Sequence, residues 1–258
     1  TIATAAMRAL PFGVPKLMLS TVASGDVGFY VMQSDITMMY SVADIAGLNQ
    51  LSRRVIANAA AAIAGMAREA RNPWDRQNGK GAVAMTMFGI TTPAVTLARR
   101  RLEAEGYEVV VFHANGAGGR AMESLIADGK INAVLDLTTT ELADEVAGGV
   151  LSAGPTRLEM AGAMGLPQVV SLGALDSINF RQPQSLPERM RGRRIHSHNP
   201  DVTLVRTDPD EAHRIGEMMG RKLSAARGPV AVGIPRGGLS LLSTKGGPFE
   251  DRQADTAL

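Results

Sequence analysis

The chain predicts an α/β fold of two Rossmann-like subdomains with mainly parallel sheets, the first of them incomplete. Three observations carry that expectation. Beyond residue 81, short apolar runs of strand length alternate with amphipathic runs of helix length. The loops after those strands are built from glycine, threonine and serine. A polar break, Arg71-Asn72-Pro73-Trp74-Asp75-Arg76-Gln77-Asn78-Gly79-Lys80-Gly81, separates this rhythm from an earlier apolar pattern. The break divides the chain into residues 1–74, a C-terminal remnant of the first α/β subdomain, and residues 75–258, the second.

Along the first part, Thr1–Leu10 is a short amphipathic helix, without the basic start and unbroken apolar centre of a signal peptide. Lys16–Ser20 follows Gly13 and Pro15 and has the length and composition of a buried strand. It opens into a small-residue loop, Thr21–Asp26. Ser20, Thr21 and Ser24, with Asp26 and Asp35, are expected to form a polar edge there. Leu51, Val55, Ile56, Ala59, Ile63 and Met66 recur at helical spacing, which predicts a helix over Leu51–Ala70.

In the second part, strands are expected at Ala82–Phe88, Tyr107–His113, Asn132–Leu137, Gln168–Leu172 and Pro229–Ile234. The helices between them are Pro93–Glu105, with Thr92 as N-cap, then Arg120–Ala127, Glu141–Val146 and Asp208–Ala226. Strands of this kind imply a parallel sheet covered on both faces. Arg181–Arg194 is rich in proline and arginine and is expected to be a solvated surface excursion. The final Asp255-Thr256-Ala257-Leu258 resembles the opening of a helix, so the chain is expected to be a fragment of a longer protein.

Composition excludes several function classes. The 258 residues include no cysteine, so disulfides, thiolate metal sites and cysteine nucleophiles are absent. Lys and Arg number 27 against 25 Asp and Glu, a net charge of +2, which gives no nucleic-acid footprint. Aromatic residues are 4%, too few for a base-stacking platform. No apolar run is long enough to span a membrane, and a cytoplasmic location is the default expectation.

In an open parallel sheet, ligands bind beyond the carboxyl ends of the strands. The loops there include Gly89-Ile90-Thr91-Thr92, Asn115-Gly116-Ala117-Gly118-Gly119-Arg120, Thr138-Thr139-Thr140 and Pro235-Arg236-Gly237-Gly238. Hydroxyls, glycines and helix N-termini at one edge favour an anion. The sharpest signal is Gly116, Gly118, Gly119, Arg120, Ala121, Met122 and Glu123, which follows a strand and opens a helix as phosphate-cradling loops do. It lacks the Lys-Ser/Thr ending of a P-loop. Gly118→Val is expected to weaken ligand binding without disturbing the fold. Asp136, ending a strand, could hold Mg²⁺ or a ribose hydroxyl, or simply be a satisfied carboxylate near a helix start. Thr91, Thr92, Thr138 and Thr139 complete the candidate set, although threonines in such loops are also ordinary N-caps. His113 beside the glycine loop could contact a ligand, carry a proton or cap the turn. His196 and His198 are spaced to share one side of a strand, but without further ligands they are expected not to bind a metal.

The strings Lys16–Asp26 and Ser34–Asn49 resemble one family, that of the ATP-binding domain found in the tomato mosaic virus resistance protein. The similarity continues through Gly89–Pro93, Gly118–Glu123, Asp136–Glu141 and Pro235–Gly238. The resemblance implies two α/β subdomains with nucleotide between or beside them, ATP with Mg as cofactors, and a Gly-rich loop of the first subdomain lying before Thr1. Some relatives carry a phosphoenolpyruvate-hydrolase-like barrel, which implies a metabolic role. Three functions are thus in view: a nucleotide-binding protein of unknown reaction, an enzyme acting on a small phosphorylated or carboxylated sugar-like substrate, and a scaffold that binds ATP without turnover. The expected partner is a nucleotide or small anionic ligand, with no nucleic acid and no membrane. Met32, Met38, Met39 and Tyr40 favour a homo-oligomer.

Overall fold

A computed structural model describes residues 2–72 and 79–258. The expected boundary at Trp74 lies outside the described residues. The chain separates into two compact units, Thr1–Asn78 and Gly79–Leu258.

The smaller unit runs α1 (Ile2–Arg8), β1 (Leu17–Ser20), α2 (Gly28–Val31), β2 (Thr37–Tyr40) and α3 (Gln50–Glu69), with β1 and β2 parallel. Asn49 caps α3 by accepting from the Ser52 amide while the Ser52 hydroxyl accepts from the Asn49 amide. Lys16 is buried and its ammonium is held by Asp35 at 2.6 Å and by the carbonyls of Pro11 and Val14. Burial opposes the charge of Asp35, but the Lys16 bond and the Gly13 amide outweigh it and lower its pKa. The expected polar edge is therefore divided. Asp35 precedes β2 and pairs at the amino ends of the strands, whereas Ser20, Thr21 and Ser24 follow β1 at the carboxyl end.

The larger unit contains β3 (Ala82–Met87), α4 (Thr92–Ala104), β4 (Glu108–His113), α5 (Ala117–Ala127), β5 (Ala133–Asp136), α6 (Thr140–Ala147), α7 (Met160–Ala163) and β6 (Gln168–Ser171). Then follow β7 (Ser177–Phe180), β8 (Ile195–Asn199), β9 (Val202–Arg206), α8 (Pro209–Ser224), β10 (Val230–Gly233) and α9 (Arg252–Ala257). Five strands form one parallel sheet in the order β4-β3-β5-β6-β10. The chain leaves β3 for one edge, then returns to its other side at β5. That reversal is a topological switch point, located between β3 and β5.

The alternation of strand side chains decides where the core sits. Ala84, Val134 and Val170 point to the face packed by Met122 and Ile126 of α5 and by Ile215 and Met219 of α8. Contrary to the expectation of two covered faces, the other face is covered only in part. Leu102 of α4 and Val83 border a groove of about 370 Å³ floored by Ala133, Leu135, Val169 and Ala231. Val169 is 41% exposed, and Val232 on the edge strand 51%. Most crossovers pass over the first face, and α4 alone cannot span five strands.

Between β6 and α8, β7, β9 and β8 form an antiparallel three-stranded sheet, of which the sequence marks just the strand spacing of His196 and His198. Leu204 from β9, with Leu242 and Phe249, packs on Phe88 and Ile90 just past the end of β3. The arginine-rich excursion is also not merely solvated. Arg193 is partly buried and bonds both Glu211 oxygens, at 2.9 and 2.6 Å, and the Arg206 carbonyl. Arg189 donates to the Ala147 carbonyl and Arg194 to that of Glu250. These guanidiniums tie the excursion to α6, α8 and the C-terminal segment.

Candidate functional site

The carboxyl edge at the switch point is assembled from the ends of β3, β4 and β5 and the starts of α4, α5 and α6. Asp136, the last residue of β5, is fully buried. Its Oδ1 accepts from Thr86 of β3 at 2.5 Å, and its Oδ2 lies 2.6 Å from Arg157 Nη1. Thr138 crosses back to β3, its amide donating to Thr86 Oγ1 and its hydroxyl to the Thr86 carbonyl. Thr91 and Thr138 share a hydroxyl–hydroxyl bond of 2.7 Å, and Thr139 donates to the Ser171 carbonyl. The hydroxyls at the switch point therefore bind the strand ends to one another.

The glycine loop does cradle an anion, and that anion is the protein's own. Glu141, in the first turn of α6, is fully buried. Its Oε1 accepts from the amides of Gly116 at 2.7 Å and Gly119 at 3.0 Å, and its Oε2 accepts from Arg157 Nε at 2.7 Å. The amides and macrodipole at the start of α5 thus stabilise a resident carboxylate. Glycine is required at 119 because a Cβ would strike that carboxylate, and at 118 because it would fall on the His113 carbonyl oxygen. Gly118→Val must consequently shift backbone, so the expectation that it would leave the fold undisturbed is corrected.

Arg157 joins three acids. Besides Asp136 and Glu141 it lies 3.6 Å from Glu123, which accepts from the amides of Leu158 and Met160. Burial works against the guanidinium charge, but Asp136, Glu141 and Glu123 outweigh it and raise its pKa above the ordinary value. Glu123 is pushed up by burial, opposed by Arg157 and the two amides.

The remaining candidates lie around this network. Met122 is core, Ala121 is half-buried, and Gly118 donates its amide to Asn115 Oδ1. Arg120 and Thr92 are exposed, with Arg120 donating to the Ser152 carbonyl and Thr92 to that of Phe88. Thr91 is the residue preceding α4, and Thr92 its first residue rather than its cap. His113 and His198 both stack on Phe88, with centroids 5.5 and 5.8 Å away, while His196 meets Phe249 edge-on. Neighbouring histidines on β8 thus take different aromatic partners, and no group of three or more His, Asp or Glu side chains placed to hold a metal ion occurs among the described residues. Sequence reasoning missed Arg157 and the role of Glu141. Their pairing spans 16 positions and follows no local motif.

A flavodoxin-like parallel sheet with an antiparallel insert at its carboxyl edge and a buried arginine–carboxylate cluster beneath defines the class. The chain belongs to the uncharacterised protein family UPF0261: residues 80–258 match its C-terminal domain and residues 1–72 its N-terminal domain. A UPF0261 protein of Clostridium tetani is 50% identical over 258 residues, covering 100% of this chain and 63% of that protein. One from Mesorhizobium japonicum is 52% identical over the same span, covering 64% of its length. The ToMV resistance protein Tm-1(GCR237) of Solanum lycopersicum is 43% identical over 261 residues, covering 100% of this chain and 35% of that protein. The chain therefore spans less than two thirds of these relatives. Among the described residues, no helix is long and apolar enough to cross a membrane.

Proposed function

We propose that the larger unit binds a nucleotide, ATP first among the candidates, at the carboxyl edge of its parallel sheet. The observation that carries this reading is the strand order, which puts a switch point between β3 and β5. Because Glu141 occupies the Gly116 and Gly119 amides, the proposed ligand contacts move outward to the exposed rim: Gly89, Thr92, His113 and Arg120. The residues present do not offer Mg²⁺ a protein carboxylate at Asp136, whose two oxygens face Thr86 and Arg157. Magnesium in this reading arrives on the nucleotide phosphates.

Thermal denaturation of the chain with ATP·Mg²⁺, inorganic phosphate and a panel of sugar acids tests the reading. A ligand at about 100 times its Kd adds roughly 2.7 kcal/mol of stability. ATP·Mg²⁺ is expected to raise the melting temperature, and Arg120→Ala with Thr92→Ala to abolish the rise. Stabilisation by a sugar acid and not by ATP would instead support the small-substrate enzyme. Binding of ATP without turnover would support the scaffold.

A further inference from the structure

The amino-terminal side of the same sheet carries a second polar feature, unrelated to any glycine loop. Between α7 and the last turns of α8 lies a cleft of about 450 Å³. That volume falls within the range of small-molecule sites. Gly162, Ala163, Ala225 and Ala226 form part of its walls, and its charged groups are Arg221, Lys222, Arg227 and a single acid, Glu159.

The charges are not equivalent. Lys222 has its ammonium fully engaged, donating to the carbonyls of Pro155 and Arg157 and to Glu159 at 2.6 Å. That ion pair uses the only acid on the walls. Arg221 reaches just Glu217 at 4.0 Å, and both side chains of that contact are more than half exposed. The Arg227 guanidinium has no hydrogen bond or ion pair among the described residues. Two guanidiniums therefore flank the cleft with almost nothing to neutralise them.

A third group lies behind the wall. Gln168, the first residue of β6, is 3% exposed, and neither its Oε1 nor its Nε2 has a partner. A buried amide left in this state carries an uncompensated desolvation cost. Gly162 lines the cleft with Ala226 packed against it: a Cβ on Gly162 would stand 2.8 Å from the Ala226 Cβ and 3.4 Å from Gln168 Nε2. The amide thus lies beneath the Gly162–Ala226 contact rather than on the cleft wall, and Gln168 also borders the groove on the opposite face of the sheet.

We propose that this cleft binds a small polyanion, a phosphorylated or polycarboxylate metabolite, with Arg221 and Arg227 as its charged partners. Guanidinium forks match phosphate and carboxylate geometry in a way a lone ammonium does not. The site is separate from the carboxyl-edge site and does not depend on it.

The test is a two-dimensional amide NMR titration of the whole chain with inorganic phosphate and then citrate, at constant ionic strength. Saturable shifts are expected at Gly162, Ala163, Ala225 and Ala226. Arg221→Ala combined with Arg227→Ala is expected to weaken citrate binding by about tenfold or more without changing the melting temperature. Ala163→Glu, which adds a carboxylate at the exposed wall, should weaken it likewise. Shifts confined to Gly89, His113 and Ala117, no saturation with either anion, or equal affinity in the variants would each overturn the proposal.

Discussion

The two edges of the five-stranded sheet treat charge in opposite ways. At the carboxyl edge Arg157 is buried against Asp136 and Glu141, and the threonines around it bond one another or backbone. At the amino edge Arg221 and Arg227 stand open, with Gln168 unsatisfied behind them. The edge rich in motif-like residues thus uses them as internal fasteners, and the edge without a motif keeps its charges free. A residue type typical of ligand sites says little until its partners are counted.

The contrast breaks most visibly at Arg157. Arg157→Leu leaves the Asp136, Glu141 and Glu123 carboxylates together without a cation. Breaking a buried pair from one side costs about 3–5 kcal/mol. The loss should shrink as pH falls into the carboxylate range, since protonation then relieves the uncompensated charge. Chemical denaturation at two pH values measures both effects; a loss below about 1 kcal/mol would mean that the cluster is not a fastener.

Glu141→Gln is the next largest. One amide oxygen can still accept from Gly116 and Gly119, but the NH₂ then faces the Arg157 Nε–H as a second donor. The variant is expected to lose about 2–3 kcal/mol. It also probes the function: if freeing the loop of its resident charge increased phosphate affinity at Gly116–Arg120, the ligand site would lie on the loop after all.

These residues also show how far sequence reading reached. The β3, β4, β5, β6 and β10 strands were legible because each contains a short apolar run of strand length, and all but β5 have glycine or proline close by. The antiparallel β7–β9 insert was not. β8, Ile195-His196-Ser197-His198-Asn199, has only one aliphatic residue, and β7 and β9 mix polar residues with apolar ones. The loops at the carboxyl edge were legible as places where backbone amides converge. The identity of the anion was not, because Glu141 arrives from a helix more than 20 residues away in sequence. Local spacing carries element type; it does not carry which distant side chain fills a pocket.

A pH dependence sharpens the comparison within the buried side. Asp144 in α6 accepts from the Asn179 amide at 2.6 Å and the Leu151 amide at 2.8 Å. Burial nevertheless dominates and pushes its pKa from 3.8 to about 7. The native state therefore holds this proton more tightly than the unfolded chain. The stability it contributes is complete below about pH 3.8 and is lost as pH rises through about 7. Between pH 6 and 8 the loss amounts to about 1–1.5 kcal/mol. Urea denaturation of the wild type and Asp144→Asn at both values isolates it: the difference in stability between the two proteins should change with pH by that amount. An unchanged difference would show that Asp144 is ionised throughout.

The smallest effect belongs to the open edge. Arg227→Ala removes a guanidinium with no partner, and Arg221→Ala removes one held only by a distant exposed contact. Surface substitutions of this kind stay within about 0.5 kcal/mol, and exposed ion pairs contribute little. Each variant is expected to unfold at the wild-type urea midpoint without added anion. In citrate, the wild type should gain stability and the double variant should gain much less, because a ligand that binds only the native state stabilises in proportion to its occupancy. The comparison separates charge kept for folding from charge kept for binding. If either arginine proved worth more than about 1 kcal/mol without an anion, it would belong with Arg157 as part of the fold, and the difference between the two edges would disappear.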